Sequence, residues 1–173
     1  MSIVVNDGPG GPIDPSALMV AKAATPGLVG ALKVALADAF TLYTRAHGFH
    51  WNVKGGAFGT FGQWHALFEA IYSDTYESID PMAENLLKLG SDAPFRLDEF
   101  VALRTIKDAA IIDDPLAMAA DLLAANEQMI ATLVRTFAEA NAANEQGIAN
   151  FIAERIDAHQ KWSWQLRASL ERG

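Results

Sequence analysis

His50, His65, Glu69, Asp80 and Glu84 are the side chains on which chemistry can be built, because imidazole nitrogens and carboxylate oxygens together suit iron, manganese or zinc. His65 and Glu69 stand four apart, as do Asp80 and Glu84. In a helix that spacing stacks each pair on one face, where two side chains reach a common ion. Asp80 follows Glu69 by 11 residues, which returns to within ~20° of the same face but ~16 Å further along the axis. One helix therefore cannot bring both pairs to one metal. If two copies cross antiparallel about a two-fold axis near Asp74 and Thr75, His65 faces Glu84 of the partner subunit and Glu69 faces Asp80 of the partner subunit. That symmetry predicts two metal sites per dimer, built across the interface. By residue type alone, a solvated polar face with intersubunit salt bridges fits the same acids and imidazoles equally well. An isolated histidine on an apolar stripe is more often a hydrogen-bonded core residue than a ligand, but His50 ends a helix directly before the stretch that holds the two pairs, which favours a ligand role.

The elements that must position these residues follow from periodicity. The helix carrying the two pairs runs from Phe61 to about Leu89, with Phe68, Ile71, Thr75, Ile79, Met82, Leu86 and Leu89 as its packing face. Pro81 removes a backbone hydrogen bond and predicts a kink between Asp80 and Glu84. Before it, Thr25 and Pro26 open a first helix ending near Asn52, whose stripe is Leu32, Leu36, Phe40, Tyr43, His47 and His50. The join from Val53 to Gly62 holds four glycines and two phenylalanines, suited to a tight aromatic-packed turn. After Gly90 a long connection to Asp113 contains a short helix, Leu97 to Arg104. Asp114 caps a third long helix with Pro115 in its first turn and the stripe Leu116, Ala119, Leu123, Ile130, Leu133 and Phe137. A polar break at 141–144 leads to a fourth, marked by Ile148, Ile152, Ile156, His159, Trp162, Leu166 and Leu170. Four long amphipathic helices with two short joins and one long crossover predict an all-α, ferritin-like four-helix bundle with a short extra helix between helices two and three.

At 173 residues and 51% hydrophobic content the chain suits one domain, residues 26–173, preceded by a proline- and glycine-rich tail, residues 1–25. There is no cysteine, so thiolate metal sites and disulfides are excluded. No uninterrupted apolar run reaches the ~20 residues of a membrane span, and the N-terminus lacks the pattern of a secretory signal; the expected location is the cytoplasm. The formal net charge is -8, and the only base of the tail is Lys22, which argues against a basic nucleic-acid-binding arm.

Three motifs occur in order: His50-Trp51-Asn52, His65-Ala66-Leu67-Phe68-Glu69, and Asp80-Pro81-Met82-Ala83-Glu84-Asn85. His159-Gln160-Lys161 and Trp164-Gln165-Leu166 follow on the last helix. Together they resemble the signature of the Dps family of miniferritins, H-W-N, H-x-x-F-[DE], D-x-x-A-E-R and H-E-K-x-x-W-x-L, over roughly residues 28–172. The resemblance implies a dodecameric shell that binds iron(II) at ferroxidase sites shared by two-fold related subunits. The iron is oxidised there, with hydrogen peroxide preferred over dioxygen, and stored as ferric iron, which limits oxidative damage. Carried over by position, His50, His65 and Glu69 come from one subunit and Asp80 and Glu84 from its mate, as metal ligands of a two-metal site. Trp51 matches the family's tryptophan beside the site. Glu69 stands where aspartate is more usual, Ala66 where an acid is common, and Pro81 and Asn85 alter the D-x-x-A-E-R segment. Two alternatives accompany this reading: a DNA-compacting structural protein, disfavoured by the acidic balance, and a shell with weakened oxidation chemistry, raised by Pro81 and Asn85.

Overall fold

The computed structural model describes residues 26–55, 60–110 and 112–171; the tail expected over residues 1–25 lies outside them. Five helices occur in order: α1 Pro26–Asn52, α2 Phe61–Lys88, the short α3 Leu97–Leu103, α4 Pro115–Ala142 and α5 Gln146–Leu170. No strand occurs among the described residues. The ends lie where local chemistry sets them. Asp114 caps α4 by accepting from the Ala117 N–H at 2.8 Å, with Pro115 in the first turn. Gly90 closes α2 with φ of 74°, while the Ser91 N–H reaches back to the Leu86 carbonyl at 3.0 Å. The polar break before α5 turns on Asn144, at φ 57°, a backbone region asparagine tolerates better than most residues. As expected, α2 runs as one helix from Phe61 to Lys88, with Pro81 inside it.

The long helices form a square in the order α1, α2, α5, α4, with α1 antiparallel to both α2 and α4. The paired contacts fix that sense: Thr136 on α4 donates to the Ala31 carbonyl near the start of α1, while Arg45 near its end meets Asp121 near the start of α4 at 3.1 Å. The buried line of α1 is Leu28, Leu32, Ala35, Ala39, Leu42, Ala46 and Phe49. From Phe40 onward the predicted stripe sits one residue ahead of it, so Phe40, Tyr43, His47 and His50 are half-buried beside the core. The same offset occurs in α4, where Leu122 and Met129 are buried and the predicted Leu123, Ile130 and Phe137 lie at the edge. Alanine and methionine mark the true core line and carry less pattern signal than the bulkier residues next to them. By length and composition α1 is apolar enough to cross a membrane, yet half of that window is buried inside the bundle.

Asp38, fully buried in the middle of α1, ties the crossover to the bundle. Its carboxylate accepts from the Thr105 N–H (2.6 Å), the Thr105 hydroxyl (2.7 Å), the Ile106 N–H (3.0 Å) and the Thr132 hydroxyl of α4 (2.8 Å). Four donors around one carboxylate compensate its burial. Replacing Asp38 with alanine orphans several of them at once, so urea unfolding of Asp38→Ala is expected to show a loss of more than about 3 kcal/mol; a loss below about 1 kcal/mol contradicts this account of the crossover.

Candidate metal centre

The tight α1–α2 hairpin brings His50, in the last turn of α1, onto His65, one turn into α2. Their rings stack with centroids 3.7 Å apart and planes inclined by 22°. Each imidazole bonds to the other residue's main chain: His50 Nδ1 to the His65 carbonyl at 3.0 Å, and His65 Nδ1 to the His50 carbonyl at 3.1 Å. A carbonyl oxygen only accepts, so both Nδ1 atoms carry the proton. In the neutral rings both Nε2 atoms are therefore unprotonated and, among the described residues, without a hydrogen-bond partner, the arrangement that orients an imidazole for a metal. Phe61 stacks on His65 at 5.1 Å and Tyr72 meets His50 edge-on at 5.2 Å, so the pair is walled by aromatic rings. Tyr72 was not singled out by sequence, although its place seven residues after His65 puts it two turns along the same face.

Glu69 lies one turn beyond His65 and is exposed; Asp80 and Glu84 are exposed further along α2. With the helix unbroken, Asp80 stands ~22 Å from His65 along the axis. Accordingly, no group of three or more histidine, aspartate or glutamate side chains able to hold a metal forms among the described residues of one chain. Glu69, Asp80 and Glu84 make no ion pair or hydrogen bond among the described residues. Asn85 is a packing residue, 4% exposed, with its amide oxygen accepting from Lys88 at 3.2 Å. Trp51 is 69% exposed and leans on His47 at 4.1 Å. Phe61, Tyr76, Phe95, Leu97 and Val101 are also exposed large apolar side chains of the α1–α2–α3 side.

A second polar cluster, unforeseen because its partners are remote in sequence, registers α2 against α5. Asp74 accepts from the two terminal Arg155 nitrogens at 2.6 and 3.0 Å and from the Trp162 N–H at 2.7 Å. Burial pushes the Asp74 carboxyl up, but those hydrogen bonds and the Arg155 charge outweigh it and hold it below its ordinary value. Beside it, fully buried His159 donates from Nδ1 to the Asn126 amide oxygen at 2.7 Å, while the Asn126 amide nitrogen donates to the His159 carbonyl and to Ser163. Burial, reinforced by Arg155 and opposed by Asp74, lowers the imidazole to about 3.

The folded His159 thus stays neutral where the unfolded one, near 6.5, takes a proton. Its stabilising contribution is present above that unfolded value and is lost as pH falls from there toward the folded value. Wild type is expected to lose about 1 kcal/mol of unfolding free energy between pH 6 and pH 5 in urea melts, and His159→Gln to show a shallower slope. Equal slopes contradict the assignment.

A ferritin-like domain family model matches residues 29–173. Among curated relatives, DNA protection during starvation protein 2 of Bacillus anthracis is 27% identical over 143 residues, covering 83% of this chain and 96% of that protein. Antigen TpF1 of Treponema pallidum is 31% identical over 145 residues, covering 81% and 78%. The crystal structure of the Dps protein of Vibrio cholerae O1, a member of a broad superfamily of ferritin-like diiron-carboxylate proteins, superposes with a TM-score of 0.80 at 25% identity, over 87% of this chain and 92% of that one.

Proposed function

The chain belongs to the Dps miniferritin family of ferritin-like proteins, and from that premise we propose that it binds iron(II) at intersubunit sites made of His50, His65 and Glu69 of one subunit with Asp80 and Glu84 of its partner. Family membership supports iron storage and ferroxidase-type chemistry in general. The finer reading adds a dodecameric shell, hydrogen peroxide as the oxidant in preference to dioxygen, and storage of the ferric product inside. The observation that carries it is the reciprocal His50–His65 clasp, which holds two imidazoles with their Nε2 lone pairs free. The exposed apolar side chains Trp51 and Phe61 beside it, and Tyr76, Phe95, Leu97 and Val101 further along the α1–α2–α3 side, supply a surface for a second copy. That copy is needed, since one chain places its two carboxylate-bearing segments too far apart to share an ion.

Iron is the substrate here. The imidazoles suit iron(II), and the carboxylates of Glu69, Asp80 and Glu84 favour the harder iron(III) product, biasing the site toward oxidation. With two irons present each gives one electron to peroxide, the O–O bond breaks, and both oxygens leave as hydroxide or water without release of hydroxyl radical. The side chains hold the ions and take no proton in this scheme. The unbroken course of α2 through Pro81 keeps Asp80 and Glu84 four apart on one face, which favours an active site over a weakened shell.

Under anaerobic conditions the protein is expected to bind iron(II), and His65→Ala combined with Asp80→Ala to abolish the peroxide-driven rise of ferric absorbance. Equal oxidation rates in the double variant and wild type would sink the site assignment.

A further inference from the structure

The clasp is the end of a longer run of rings. Tyr72 lies 5.2 Å from His50 and stacks on His47 at 4.1 Å; Tyr43 lies 5.4 Å from His47 and 6.3 Å from Tyr72. From Tyr43 the run continues to Tyr76 at 5.2 Å and, through Phe40 at 6.2 Å, to Phe100. His47 belongs to none of the candidate ligands, and its Nδ1 lies 3.2 Å from the Tyr43 hydroxyl. Among the three tyrosines of the chain, Tyr43 is the one whose hydroxyl meets a side-chain base among the described residues.

That distinction decides which of the three tyrosines is the readily oxidised one. A phenol gives up an electron readily only if its proton leaves at the same time, because the protonated radical is a strong acid. A base within hydrogen-bond reach makes this possible. Tyr72 is nearer to the clasp and, among the described residues, lacks the base; Tyr43 has it.

We propose that Tyr43, with His47 as its proton acceptor, is a one-electron donor site connected to the metal centre through Tyr72. The inference rests on the ferroxidase reading above and extends it to a site that holds one iron(II) instead of two. Peroxide needs two electrons. Iron(II) supplies one, Tyr43 supplies the other, and the Tyr43 proton moves to His47 Nδ1. The O–O bond breaks and two protons from solvent complete two waters. The products are iron(III), two waters, a neutral Tyr43 phenoxyl radical and a protonated His47. Without the second donor, one-electron reduction leaves a hydroxyl radical. Tyr43 thereby covers the partly loaded state, in which paired oxidation is not available.

The test loads the full chain anaerobically with one iron(II) per two-fold site, adds one equivalent of hydrogen peroxide and freeze-quenches for electron paramagnetic resonance, with ferric absorbance recorded on the same sample. The expected result is a tyrosyl signal in wild type, its loss in Tyr43→Phe and a several-fold smaller yield in His47→Phe, which keeps a ring against Tyr72. A signal of equal yield and shape in wild type and Tyr43→Phe overturns the proposal. Absent ferric absorbance in wild type marks failure of the ferroxidase reading instead. In that case the iron-free chain, oxidised by photogenerated ruthenium(III) tris(bipyridine), decides: loss of the tyrosyl signal in Tyr43→Phe supports Tyr43 as the donor, and an unchanged signal overturns it.

Discussion

A straight α-helix rises about 1.5 Å per residue, and this fixed rise governs the molecule. α2 carries His65 and Glu69 near one end and Asp80 and Glu84 toward the other, and nothing short of breaking the helix brings the two pairs together. The helix is not broken, even at Pro81. The carboxylates stay exposed and, among the described residues, unpartnered, while the imidazoles are already arranged. In the proposed site, this division would make iron binding conditional on assembly, with each copy holding halves that an antiparallel mate completes.

The rest of the fold serves the placement of α2. On one side the α1 hairpin delivers His50 and locks both imidazoles through each other's main chain, so that neither ring can rotate without giving up a hydrogen bond. On the other side Asp74, near the middle of α2, grips Arg155 and Trp162 of α5. Asp38 fastens the long crossover to α1 and α4, so the connection between the two hairpins lies down along the bundle. These three polar anchors are spaced along the bundle and set register, which apolar packing alone leaves free to slide.

Much of this was legible in the sequence, and the reasons differ by element. Helix ends carried local signals, Pro115 after Asp114 and Gly90 after Leu89, and the structure places them there. The two four-residue spacings on α2 read directly as stacked pairs, because helical periodicity is rigid. The core line of α1 was read one residue off from Phe40 onward, and that of α4 at Leu123, Ile130 and Phe137 though not at Ala119 or Leu133, because large side chains at the edge of a groove outweigh alanine and methionine in any pattern. Asp38 and Asp74 were invisible because their partners, Thr105 and Thr132 or Arg155 and Trp162, are remote in the chain. The backbone half of the His50–His65 clasp was also beyond reach, since it depends on the hairpin closing at one particular register. Tyr43 and His47 appeared only as members of an apolar stripe; their mutual hydrogen bond gave them a different meaning.

The central claim is that each metal site takes ligands from two copies, and subunit mixing tests it most directly. His65→Ala chains alone lack an imidazole in every site, and Asp80→Ala chains alone lack a carboxylate in every site. A mixed pair, by contrast, combines both defects in one of its sites and leaves the other wholly wild type. Shells co-assembled from equal amounts of the two variants are expected to recover about a quarter of the wild-type peroxide-driven iron oxidation, given random pairing about the two-fold axis. Mixed shells as inactive as either variant alone would contradict the shared site.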